Sequence, residues 1–373
     1  MNIPSTLAAA AALACCTLAQ AAAAQYTLNL LSDLSGGMDS AQAQAINNLG
    51  VAAGQAHDGN YLAALWQPGL GATSLGDLAG GITNSHAYAI NDSSWVVGTA
   101  TASTGTRAFL WKQGTGMLNL GDLPGGTDFS GAYSINNAGA VVGYSYNTTT
   151  LDPKAVIWDA KTLQMTQLGD LPGGANNSVA RDINNHDQVV GYSASATGQH
   201  AFRWTAEGGM VDLGDLAGGM DSSMAYAIND SGWVAGTGVA GNNVQHAVVW
   251  SPDGQMIDLG ALLGASSSTA ALDINARGEV IGTGAGKAFL WTQAGGIVDL
   301  NAVTERNGFV LGNVWAINDE GQIAGWGTNA SGGRQAFVIS PLAAVPEPET
   351  YALMLGGLGA IGLVSRRRLV KKA

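Results

Sequence analysis

One nine-residue pattern, Ile-Asn-x-x-Gly-x-Val-x-Gly, recurs seven times in full or close form along this chain of 373 residues. Its asparagines are Asn47, Asn91, Asn136, Asn184, Asn229, Asn275 and Asn318, spaced by 44, 45, 48, 45, 46 and 43 residues. A period this regular over nearly the whole chain marks a repeat architecture, in which units bury one another's apolar faces. It also sets a rule for reading function. A residue repeated seven times holds up a fold, whereas a catalytic residue is normally unique.

Two further motifs run in step. Leu-Gly-Asp-Leu occurs at Leu75, Leu120, Leu168 and Leu213, with weaker copies at Leu31, Leu259 and Leu300. An apolar triplet ends in Trp66, Trp111, Trp158, Trp204, Trp250 and Trp291, and its seventh copy ends in Ile339. Within a unit, Asn136 can start a type I turn through its side chain, and Gly139 can take the left-handed conformation that finishes it. Gly50, Gly232, Gly278 and Gly321 hold that place in other copies, whereas Ser94 and Asp187 replace it in two. A second hairpin joins the tryptophan strand to the next Leu-Gly-Asp-Leu. Two hairpins make four short strands in about 45 residues, the content of one propeller blade.

The reading is therefore an all-β, seven-bladed β-propeller spanning residues 25–341, with a linear β-solenoid as the rival. Strand 26–31 lacks an upstream partner and strand 336–340 lacks a downstream one. Pairing them would close the ring and remove two exposed edges. Composition agrees: 54 glycines, 11% charged residues and 46% hydrophobic residues describe a turn-rich β protein with ample core.

The two ends read as sorting signals. Residues 1–24 hold no charged side chain, an apolar run from Leu7 to Leu18 and Ala-x-Ala sites before Gln25, the pattern of a secretory signal peptide. The Sec translocon and signal peptidase are its expected partners. Cys15 and Cys16 both fall inside it, and a lipoprotein-type signal there fits the lipobox poorly. Residues 342–350 are a Pro/Glu linker, residues 345–368 a sorting or membrane segment, and residues 369–373 a basic tail. The uncharged run from Tyr351 to Ser365 would reach only about 22 Å as a short C-terminal helix. That falls short of a ~30 Å hydrocarbon core, so the segment reads as a marginal anchor or a cleaved signal.

Pro346, Glu347 and Pro348, an apolar helix, then Arg366, Arg367 and Arg368 resemble the PEP-CTERM sorting domain. That resemblance implies recognition by an exosortase-type enzyme at the surface of a Gram-negative-type bacterium. The repeat itself, with Leu120–Gly126, Leu168–Gly174 and His200–Trp204, resembles the extracellular HAF repeat family, which implies a propeller-like extracellular protein and no particular reaction.

Without its ends the repeat region carries a formal charge of −15, since the tail from Pro341 holds five basic and two acidic residues. An acidic surface argues against nucleic acid and against binding anionic lipid or acidic polysaccharide by charge alone. It is compatible with cation-bridged or neutral-sugar contacts to a polysaccharide, or with a surface protein as partner.

No reactive constellation stands out. The five histidines show no metal-ligand spacing, there is no Gly-x-Ser-x-Gly elbow, and no cysteine would survive processing. Asp33, Asp77, Asp122, Asp170 and Asp215 read as caps of the following loops, with a Ca2+- or sugar-binding ring as the functional alternative. Arg107, Lys154, His200, His246 and Lys287 open the tryptophan strands and read as solvated edge residues, against a ligand-facing ring. The repeated tryptophans read as packing between blades. Trp95, Trp233, Trp315 and Trp326 lie outside that position and are the candidates for exposed stacking on a sugar. The expected function is a non-catalytic structural or binding module of the cell surface, with no cofactor. A lectin-like propeller and a polysaccharide lyase or hydrolase are the alternatives.

Overall fold

The computed structural model describes residues 25–125, 128–146, 152–264, 266–284 and 286–342. The expected signal peptide, the expected short C-terminal helix of the sorting segment, the arginine cluster and the basic tail lie outside these residues.

The described chain forms seven sheets, each built around four antiparallel strands. In blade 3 these are Ser130–Ile135, Ala140–Tyr146, Pro153–Asp159 and Met165–Gln167, paired in sequence order. Blade 1 begins at Gln42, and blades 2, 4, 5 and 6 begin at Gly80, Ser178, Ser223 and Thr269. Blade 7 is composite. Val310–Ile317, Ile323–Thr328 and Arg334–Pro341 come from the end of the chain, and Tyr26–Leu31 from its start supplies the fourth strand. Thr27 Oγ1 donates to Ser340 O, and Gln335 Nε2 donates to Leu31 O, so the two segments run antiparallel. The expected closure is present, and the ring is shut.

The sequence did not announce a fifth strand in that sheet. Thr304–Glu305 pairs parallel with Tyr26 and Thr27. It follows one of two four-residue helices, Leu259–Leu262 and Leu300–Val303. Both sit where Leu-Gly-Asp-Leu has lost its aspartate to Ala261 or Ala302. Instead Asp258 and Asp299, just upstream, cap the helices by accepting from Ala261 N and Asn301 N.

Seven apolar clusters hold the ring together, one between each pair of neighbouring blades. The seven positions of the tryptophan motif fall one to a cluster: Trp66, Trp111, Trp158, Trp204, Trp250, Trp291 and Ile339. Each packs against the preceding blade, which is why the motif repeats. Burying one such ring removes 150–250 Å² of surface from water.

The Ile-Asn motif does more than turn the chain. All seven turns end in a residue of positive φ, including the non-glycines Ser94 (58°) and Asp187 (57°). Each asparagine Oδ1 accepts backbone N–H groups of its own turn, as Asn47 does from Leu49 and Val51. Its Nδ2 then reaches to the next blade. Asn47 donates to Asn91 O, Asn91 to Asn136 O, and so on through Asn184, Asn229, Asn275 and Asn318, which returns to Asn47 O. Seven buried amides thus form a closed circle of hydrogen bonds, each 2.9–3.1 Å long.

Candidate functional site: the central channel

The innermost strand of every blade breaks register three residues before its asparagine, and those of blades 2 and 7 break it once more upstream. The residues at the shared break are Gln44, Tyr88, Tyr133, Arg181, Tyr226, Leu272 and Trp315. A bulge re-aims its side chain, and bulges recur beside functional sites. Here all seven line one central cavity of about 740 Å³. The glycine of Val-Val-Gly lies opposite each bulge. A Cβ on Gly143, for example, would collide with the carbonyl of Gly131.

The seven lining residues differ, although the asparagines three positions later do not. Arg181 lies between two rings, with its guanidinium carbon 4.2 Å from the centre of Tyr133 and 5.5 Å from that of Tyr226. Tyr88 and Tyr133 are 5.4 Å apart, and the aromatic network continues outward through Tyr144 to Tyr146 and Phe129. Burial pushes the Tyr133 and Tyr144 hydroxyls up from their ordinary range, with Arg181 opposing the shift at Tyr133. They stay neutral at any physiological pH. His86, held by Gln55 at 2.6 Å, is pushed down by burial and stays neutral as well.

Two carboxyls stand in the channel wall. Asp182 accepts from Ser134 Oγ (2.6 Å) and from Ile228 N (2.7 Å) in the two flanking blades. Asp273 accepts from Ile274 N (2.8 Å) and Ile317 N (2.7 Å). Neighbouring atoms enclose both groups, although the channel leaves part of each open to water. Burial raises both, and for Asp273 burial, then the charges of Asp182 and Asp319, push it up to about 7 against the two N–H donors.

At one mouth of the cavity the residues after the asparagines form a second circle, exposed except for the half-buried Asp92 and Asp319: Asn48, Asp92, Asn137, Asn185, Asp230, Ala276 and Asp319. Asn48 N donates to Asp92 Oδ1, Asp92 N to Asn137 Oδ1, and Asp319 N to Asn48 Oδ1. The circle breaks at Ala276, which has no side-chain acceptor for Asp230 N.

The four tryptophans proposed for exposed stacking are not brought together, and none is exposed. Trp95 follows a turn, packs against the core between blades 2 and 3, and is covered by Lys112 Nζ at 3.7 Å. Trp233, at the matching place in blade 5, packs against the cluster holding Trp291. Trp326 lies under the Arg334 guanidinium at 4.0 Å. Trp315 alone lines the channel, where its buried indole N–H has no protein acceptor. The sorting residues Pro346, Glu347, Pro348, Arg366, Arg367 and Arg368 lie outside the described residues.

The basic residues that open the third strands are not solvated edges. Arg107, Lys154, His200 and His246 are buried and paired with Asp128, Asp170, Asp212 and Asp258, and only Lys287 is exposed beside Asp299. The loop aspartates divide. Asp33, Asp77 and Asp122 accept from backbone N–H groups six to eight residues downstream, whereas Asp170 pairs with Lys154. Among the described residues, no group of three or more His, Cys, Asp or Glu is placed to hold a metal ion, and no helix is long and apolar enough to cross a membrane.

Sequence reasoning missed Arg181 and the tyrosines because they stand two residues before the repeated Ile-Asn pair, in a strand that looked purely structural. The available signal was the exchange of Tyr for Gln, Arg, Leu or Trp at that one place.

Comparison with known proteins bears on the two parts of the chain separately. Residues 344–368 match the family model of the PEP-CTERM protein-sorting motif. The C-terminal segment is a PEP-CTERM sorting motif. Such a motif implies secretion, anchoring at the C-terminus and processing by an exosortase-type enzyme. Residues 116–211, the region of blades 3 and 4, match a family described as "Protein of unknown function (DUF3466)". The HAF likeness remains one of motifs. No curated protein matches.

Among solved structures, the β-propeller domain of the Trilobed protease from Pyrococcus furiosus, described as having an open velcro topology, is similar. It shows 9% identity and a TM-score of 0.54, over 87% of this chain and 100% of that one. A puromycin hydrolase S511A mutant complexed with PGG gives 11% identity and a TM-score of 0.51, over 86% of this chain and 57% of its own. This chain thus spans little more than half of that hydrolase. At these identities the likeness is one of fold alone.

Proposed function

We propose that this sorted propeller is a non-catalytic binding module of the cell surface and that its ligand enters the central channel. One observation carries the reading. One variable position of the sevenfold repeat, tyrosine at Tyr88, Tyr133 and Tyr226 but Gln44, Arg181, Leu272 and Trp315 in the other blades, converges on one cavity, while the asparagine three residues later is kept in every blade. An aromatic, partly polar cavity of this volume suits a small ligand or a sugar unit. The exopolysaccharide around a surface-sorted protein is a source of such units.

A glycan array probed with the full chain tests this. Wild type should bind a defined set of glycans, and Trp315→Ala and Tyr133→Ala should each weaken binding at least tenfold at a temperature where both variants remain folded. Binding indifferent to both substitutions, or none at all, overturns the channel reading. Locating the protein with and without residues 345–373 tests the sorting half, because a truncated chain that still reaches the surface has no need of the tail.

Asp182 and Asp273 favour a second reading, a hydrolase with a carboxyl pair in the channel. Against it, the oxygens of both accept N–H or O–H groups of the scaffold. Hydrolysis of any bound glycan, abolished by Asp273→Asn, would favour the enzyme.

A further inference from the structure

Taking the channel as the ligand site, we infer that it receives a sugar bearing a single carboxylate, seated on the guanidinium of Arg181. Among the described residues, Arg181 is the one cation lining the cavity. It joins no ion pair. The adjacent carboxyl of Asp182 is turned to Ser134 and Ile228 in the neighbouring blades. Tyr133 and Tyr226 flank the guanidinium, their ring centres 4.2 and 5.5 Å from its carbon. Its N–H groups make no ion pair among the described residues, and a carboxylate meets such a group with two parallel hydrogen bonds. An arginine already fixed by stacking loses little side-chain freedom on making them.

The surroundings narrow the ligand further. Tyr88 and Trp315 add aromatic surface elsewhere in the same cavity. Aromatic faces with a few polar groups suit a pyranose ring. The mouth, by contrast, carries the exposed carboxylate of Asp230 and the half-buried ones of Asp92 and Asp319. One interior cation against three rim anions disfavours a polyanion and leaves a uronate flanked by neutral sugars.

Calorimetric titration of the full chain with an aldobiouronic acid (one glucuronate linked to one neutral sugar) tests this. The other probes are its methyl ester, the all-neutral disaccharide, tetragalacturonate and a tetrapeptide with one glutamate. The acid should bind at least tenfold more tightly than every other probe. Arg181→Gln should erase that advantage by weakening the acid at least tenfold more than the ester, and Arg181→Lys should keep part of it.

Equal affinity for acid and ester, or an equal loss of both in Arg181→Gln, overturns the carboxylate assignment and leaves the channel reading intact. Tighter binding of tetragalacturonate overturns the single-charge argument, and equal binding of the peptide overturns the sugar. Silence of all probes alongside Trp315-dependent array binding also defeats this inference alone, and silence in both assays defeats both. Should Arg181→Gln fail to fold, the acid-to-ester ratio on wild type decides.

Discussion

Asn318 Nδ2 donates to the backbone carbonyl of Asn47 at 2.9 Å, joining residues 271 apart in sequence. The same bond joins every other pair of adjacent blades, so the amide that sets each turn also locks it to its neighbour. Asn318→Ala removes a donor to Asn47 O and the acceptor for Glu320 N and Gln322 N. A buried group left unsatisfied costs about 1–3 kcal/mol, so denaturant unfolding should show a loss of roughly 2–4 kcal/mol. A loss below about 0.5 kcal/mol would mean that the circle is incidental.

Backbone geometry gives two substitutions of opposite sign. Ser94 takes φ 58° where five other blades have glycine. Ser94→Gly should stabilise by about 0.5 kcal/mol, the relief of left-handed strain less the entropy added to the unfolded chain. Gly143→Ala places a methyl against the carbonyl of Gly131 across the bulge. It should cost at least ~2 kcal/mol, as other forced backbone shifts in a packed core do. Thermal unfolding of both variants checks the pair.

The Asp273 carboxyl makes stability depend on pH. Its folded-state value, up near 7, lies above the unfolded one near 3.8. The folded chain therefore holds this proton more tightly. The stabilisation is fully present below about pH 4 and is lost as pH rises through about 7. A shift of that size corresponds to on the order of 4 kcal/mol, reduced by water entering the channel. Four other blades carry alanine at the matching position: Ala45, Ala89, Ala227 and Ala316. Asp273→Ala should flatten the fall in Tm between pH 4 and 8, and an unchanged slope would assign it to other groups.

Much of this was legible in the motifs. Period gave the number of blades, Asn136 and Gly139 gave the turn, and the unpaired ends gave the closure. The second role of the asparagines was not legible, because a hydrogen bond between neighbouring blades leaves no local pattern. Nor was the burial of Arg107, Lys154, His200 and His246. Their carboxylate partners lie 12–21 residues away, at offsets that differ between blades. The channel ring was hidden by its own consensus, since Tyr88, Tyr133 and Tyr226 look like packing until the bulge turns them inward. Trp95, Trp233 and Trp326 misled for the opposite reason. Their irregular positions suggested exposure, but aliphatic and cationic neighbours cover them.

The asparagine circle, the cavity and its lining all depend on the first strand completing the last blade. Spin labels at Thr27 and Ser340, with Cys15 and Cys16 replaced by serine, measure that contact directly. The closed ring predicts strong dipolar broadening in the full chain, lost together with tertiary structure on denaturation. Labels that show no broadening in the folded protein would contradict it.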